Sequence, residues 1–264
     1  MRVWLRAGAL ALAVVGAVAG LTIYYSSDKV PRCLVSGVDA WRPPTDGGTH
    51  RYEVVLLNGS ACLFDTSQRH RLAGAVSLAK ASWLAAPAPQ VTDTLRIADG
   101  AHGVAYETKP GLLGVRVLDQ RTKRQLYVTR FKGFTWNPRF GPDPPAHGLS
   151  LAPDRPELWV LDAPNSVVHL FDVSGLPDQP PRRIDDIRLT KPISGDESPC
   201  ARACSRIGSL QHSADGRFVY VGDSGDVIDT GTRQAVANLE ALHNSRVAFE
   251  LDWVDGKPVF PQRS

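Results

Sequence analysis

Three histidines recur in one local context, each followed by a small residue: AHGVAYE at His102, AHGLSLA at His147 and QHSADG at His212. Imidazoles at equivalent positions of a repeat can bind a metal, polarise a ligand or move a proton, provided that the fold brings them together. The competing use is structural, each ring bonding a neighbouring repeat as a staple. His102, His147 and His212 are therefore the leading candidate ligand-binding residues. Trp136 and Arg139 join them, because FTWNPRFGPDPPAHG (134–148) puts aromatic rings and a guanidinium on a proline-rich loop just before His147. The same aromatic side chains could instead plug the gap between repeats.

Other chemistry is thinner. Asp223, Asp226 and Asp229 follow one another at three-residue steps, which could supply part of a calcium site, but the spacing is not that of an EF-hand loop. No glycine-rich phosphate loop, nucleophile elbow or H-E-x-x-H helix occurs, so no catalytic residue and no cofactor is assigned. The four cysteines are read as structural. Cys200 and Cys204 lie four residues apart in SGDESPCARACSRIG (194–208), and one helical turn would bring their α-carbons to roughly 6 Å, within disulfide range. Cys200–Cys204 with Cys33–Cys62 is the expected pairing in an oxidising compartment. The other two connectivities stay open, and a four-thiolate zinc site is the minor alternative.

The elements that must position these residues are short strands. No long stretch beyond residue 30 has the 3.6-residue apolar period of an amphipathic helix. Runs such as YEVVLLNG (52–59), GVRVLD (114–119), ELWVLD (157–162), VVHLFD (167–172), RFVYVGD (217–223) and DVIDT (226–230) alternate with Gly, Pro, Asn and Asp, which predicts antiparallel strands and tight turns. Two or three apolar residues followed by Asp and a turn occur at Asp65, Asp119, Asp172 and Asp229, a repeat of 53 to 57 residues. The Asp is expected to cap the hairpin turn with its carboxylate. Such a period means a solenoid or a propeller. The last two units each read as four hairpin-linked strands, which selects the blade of a β-propeller.

HGLSLAPDRPELWVLDAPNSVVHLFDVSG and QHSADGRFVYVGDSGDVIDTGTRQAVANL resemble the YVTN-type, YncE-like β-propeller proteins, exported bacterial repeat proteins. The resemblance covers residues 100–260 well and 50–80 weakly. It implies fold far more than activity, since that superfamily holds enzymes and binding proteins alike. Such propellers usually have seven blades, whereas four clear units are visible here. Residues 31–50 and 80–98 could hold degenerate strands of one more blade. The expected fold is all-β, a small or incomplete propeller of about four to five four-stranded blades over residues 31–264. The ring could be completed by a second copy in a dimer.

Residues 1–30 are expected to be a signal peptide or a single transmembrane anchor. Arg2 and Arg6 precede residues 7–27, which carry no charge, and Ala7 to Tyr25 is almost wholly apolar. Ala17-Val18-Ala19 offers a cleavage site, while Leu21, Ile23, Tyr24 and Tyr25 lengthen the stretch to nearly the ~20 residues that span a bilayer. Either way the body lies outside the cytoplasm, anchored or secreted. The chain carries 30 basic and 27 acidic residues, and much of the excess sits in the leader. A nearly neutral body excludes a generic nucleic-acid binder. These features together imply a non-catalytic binding scaffold of the cell envelope, its ligand a protein, a glycan or a small molecule. The alternative is a lactonase-, lyase- or quinoprotein-like propeller using axial histidines.

Overall fold

The structure is a computed structural model that describes residues 40–57, 59–81, 83, 96–133, 146–191, 210–222, 224–243 and 248–261, with His147 described in its backbone alone. All of them belong to the compact unit Cys33–Ser264. The N-terminal apolar segment, Trp136, Arg139, Asp223, Cys33, Cys200 and Cys204 lie outside the described residues.

Seventeen strands form four antiparallel sheets. Blade one contains β4 (Arg96–Asp99), β5 (Val104–Lys109), β6 (Leu112–Asp119) and β7 (Gln125–Arg130), in that order. Blade two contains β8 (Ala146–Leu151), β9 (Glu157–Asp162), β10 (Val167–Asp172) and β11 (Arg182–Arg188). Blade three contains β12 (Leu210–His212), β13 (Phe218–Val221), β14 (Asp226–Asp229) and β15 (Gln234–Asn238). Each is a meander of consecutive strands, the construction of a propeller blade.

Blade four draws on both ends of the described chain. Its order is β17-β16-β1-β2-β3, with β1 (Thr49–Leu57), β2 (Ser60–Asp65) and β3 (Arg71–Ser77) from the start and β16 (Ala248–Val254) and β17 (Lys257–Val259) from the end. β16 takes the place that β4, β8 and β12 hold in the other blades, through an antiparallel ladder that runs from Thr49 opposite Val254 to Val55 opposite Ala248. The degenerate strands expected within 80–98 resolve differently: β4 belongs to the unit of His102, and four blades account for every described strand.

The strand sequences are apolar on both faces because each blade is covered on both faces. In β9, Leu158 and Val160 pack toward blade one while Trp159 and Leu161 pack toward blade three, all four with no exposure. In β13, Val219 and Val221 face blade two and Tyr220 faces blade four. Three apolar clusters thus join blades one and two, two and three, and three and four. A fourth cluster covers the far face of blade four, where Trp41, Trp83 and Trp253 meet with ring centroids 5.2 to 5.8 Å apart.

The Asp repeat is a set of turn caps. Asp65 Oδ1 accepts from Ser67 N–H at 2.8 Å, Asp119 from Thr122 N–H at 2.6 Å, Asp172 from Ser174 N–H at 3.0 Å and Asp229 from Thr232 N–H at 2.8 Å. Each also takes the hydroxyl of the same residue. Donation by Ser174, with Arg182 beside it, holds the Asp172 carboxyl down at about 2. These carboxylates fix the third-to-fourth-strand hairpins.

Candidate functional site

The inner strands of blades one to three, with the turns that follow them, surround a cavity of about 620 Å³. His102 and His212 both line it. The backbone at His147 falls at a bulge between Ala146 and Gly148 in β8. Two of the three histidines thus line one cavity, from different positions of their blades, while the side chain of the third lies outside the described residues.

Each ring is held differently. His102 sits in the turn between β4 and β5, its Nδ1 2.7 Å from Asp99 Oδ2. Asp99, almost fully buried, also accepts from Tyr106 Oη at 2.7 Å and from His102 N–H at 3.2 Å. Burial opposes ionisation of Asp99, but these donors outweigh it and hold its carboxyl below the ordinary value. Burial, then the bond to Asp99, pushes the Tyr106 phenol up, so it stays protonated. His212 closes β12, and its Nδ1 lies 2.7 Å from Ser150 Oγ in blade two. Ser150 Oγ also accepts from His212 N–H at 3.0 Å, so one hydroxyl meets both the ring and the backbone of His212. Trp159 meets the ring edge-on at 5.3 Å. The Ser150–His212 pair therefore fastens β8 to β12 while forming part of the cavity wall.

Two further histidines, His169 and His70, are buried. His169 is buried between Asp162, 3.0 Å from Nε2, and Asp186, 2.8 Å from Nδ1, with Phe131 against its face at 4.1 Å. His70 is buried at φ +58°, its Nε2 3.0 Å from Tyr220 Oη and its ring 4.7 Å from Phe218. Burial first, then the Arg217 charge, lowers its pKa to about 4. An unfolded histidine titrates near 6.5, so the unfolded chain gains this proton first as pH falls. The stability His70 contributes is complete above about pH 6.5 and is lost between there and about pH 4, up to roughly 3 kcal/mol. Asn tolerates the positive φ, so His70→Asn should fold and show a shallower dependence of urea-unfolding free energy on pH across that window. An unchanged slope would assign the acid sensitivity elsewhere.

The calcium expectation meets occupied carboxylates. Asp226 is fully buried and accepts from Thr190, Ser224 and Asn238, and Asp229 caps its turn. Among the described residues no group of three His, Cys, Asp or Glu side chains is placed to hold a metal. Sequence reasoning missed Asp99, Tyr106, Ser150 and Arg155. Asp99 carried a local signal, lying three residues before His102 in ADGAHG. The others matter only through partners that the fold supplies.

No protein-family model and no curated protein matches the chain. Among solved structures it is similar to Kuenenia stuttgartiensis hydrazine synthase, at 19% identity over 50% of this chain and 31% of that one, with a TM-score of 0.35. It is also similar to the β-propeller domain of Myceliophteria thermophila Cps50 (Swd1), at 13% identity over 77% of this chain and 56% of that one, with a TM-score of 0.36. The chain spans about a third and about half of the lengths of these two structures. What identifies the architecture is its own topology: three consecutive four-stranded meanders and a blade built from both ends of the described chain are four blades of a β-propeller among the described residues.

Proposed function

We propose that the chain is an exported or membrane-anchored propeller of the YVTN/YncE-like kind, acting as a non-catalytic binding scaffold in the cell envelope. The observation that carries the reading is the cavity: three blades enclose a volume of small-ligand size, while its histidines are engaged by side chains of the same wall. Propellers serve unrelated functions, so the fold alone would not decide. Export is supported by the basic start and uncharged apolar run of residues 1–27. It is also supported by Cys62, fully buried and disulfide-bonded, its partner outside the described residues. No helix among the described residues is long and apolar enough to cross a membrane. Within blade four, β16 supplies the strand that a second copy would otherwise have to bring.

One observation favours the enzymatic alternative. Asp99 stands behind His102 Nδ1, an arrangement that can orient a histidine for proton transfer at Nε2. Native mass spectrometry with elemental analysis of the full chain, made through an oxidising secretory route, separates the scaffold from a metal-dependent enzyme. The scaffold reading expects a disulfide-oxidised, metal-free protein. A stoichiometric metal that disappears in His102→Ala would overturn it in favour of the alternative.

A further inference from the structure

One ring nitrogen on the cavity wall is left open. His102 lines the cavity with 20% of its side chain exposed, and its Nδ1 is committed to Asp99 at 2.7 Å. Its Nε2 makes no hydrogen bond among the described residues and is not closed off from solvent. Other polar side chains of the wall are engaged: Ser150 with His212, Ser213 with Asp215 at 2.7 Å, and Arg155 with Glu157 at 3.3 Å.

Asp99 decides what that open nitrogen can do. Its Oδ1 accepts from His102 N–H, and its Oδ2 accepts from the Tyr106 hydroxyl and faces His102 Nδ1. Burial opposes its ionisation, but these donors outweigh it and keep it a carboxylate. A carboxylate only accepts, so the ring donates to it through Nδ1–H. In the neutral ring Nε2 is then a bare acceptor, and what it lacks is a donor. Much of the remaining wall is apolar: Ile97, Leu149, Leu151, Leu210 and Pro156.

We propose that the cavity binds an uncharged amphipathic alcohol or phenol, its hydroxyl donating to His102 Nε2 and its apolar body against Ile97 and the leucines of β8 and β12. The proposal rests on the reading of the cavity as a ligand site and adds the ligand's chemistry. A carbonyl or carboxylate oxygen would meet the Nε2 lone pair with its own, and the Asp99 charge behind the ring further opposes an anion there. The volume of about 620 Å³ suits two fused rings or a comparable chain.

The test is equilibrium dialysis of the full chain at pH 8, above the range in which imidazoles ordinarily titrate, against 2-naphthol, 2-acetylnaphthalene and 2-naphthoate. The expected result is one 2-naphthol per chain, bound at least about fivefold tighter than the ketone or the acid. Asp99→Asn checks the cause, Asp99 being a positioning residue. The His102 amide N–H holds the new carbonyl oxygen at the Oδ1 place, so the NH2 group stands at the Oδ2 place and donates to Nδ1. The ring proton then moves to Nε2, and the ketone should bind as tightly as 2-naphthol or more tightly, a reversal that loss of packing would not produce. His102→Phe keeps a ring and removes the acceptor; it should bring 2-naphthol and the ketone to within about twofold, and it serves if Asp99→Asn fails to fold. Equal binding of all three probes to the wild type, or a preference that survives both substitutions, overturns the hydroxyl contact and leaves the cavity as a ligand site. Tighter binding of 2-naphthoate overturns it in favour of an anion. Failure of every probe to bind overturns this proposal, while the metal analysis decides the scaffold reading separately.

Discussion

Asp226→Asn is expected to lower the melting temperature by about 10 °C, although it changes neither the size nor the shape of the side chain. Asp226 is fully buried at the start of β14. Four donors converge on its two oxygens: Thr190 N–H at 2.8 Å, the Thr190 hydroxyl, Ser224 Oγ at 3.0 Å and Asn238 Nδ2 at 2.8 Å. An amide there turns one acceptor into a donor, so at least one N–H or O–H must face another donor in a dry site. Losing a charge-assisted bond and stranding its donor together cost roughly 3–5 kcal/mol. Thr190 follows the last strand of blade two, and Ser224 and Asn238 belong to blade three, so the carboxylate also ties one blade to the next. Asp226→Ala should cost a similar amount, since it strands the same donors. Calorimetry with and without EDTA checks the interpretation. A melting temperature that falls on chelation in the wild type, and not in the variant, would make Asp226 a cation ligand and the donor cage an incomplete account.

How much of this was legible depended on sequence distance. The Asp caps were readable because their partners lie two or three residues away and the turn repeats four times. Both-face burial was readable in ELWVLD, where every residue from Leu158 to Leu161 is apolar. His102 and His212 could be matched by their context, but the fold holds them at different positions of the blade, His102 in the turn after β4 and His212 at the end of β12. What holds each ring was not readable in the same way. Asp99 is local to His102, but Ser150 meets His212 across 62 positions and two blades. Burial of His70 is due to Phe218 and Tyr220 on another blade. The closing strand was the hardest feature of all. β16 and β1 lie about 200 residues apart, and neither run of residues carries a mark of its partner.

That closure carries the second large prediction. Leu251→Asp is expected to destabilise the fold by more than about 4 kcal/mol, enough to unfold much of a marginally stable chain. Leu251 has no exposure, sits opposite Tyr52 in the β1–β16 ladder and packs in the cluster with Val54, Leu63 and Trp253. A carboxylate there would be buried with no cation arranged to meet it. The Arg51 guanidinium, next to Tyr52 on β1, is committed: it donates to both oxygens of Asp252, at 2.7 and 2.9 Å, and to Asp215 of blade three at 3.2 Å. Lys257→Glu on exposed β17 is the control, expected within about 0.5 kcal/mol of wild type. Hydrogen exchange distinguishes loss of closure from general damage. Blades of a repeat fold lean on their neighbours, so protection should fall first in residues 49–77 and 248–259, next in blade three, then in blade two and last in blade one. If Leu251→Asp instead left the amides of β1 and β16 protected, with a cost under about 1 kcal/mol, the β1–β16 pairing would not be what closes blade four.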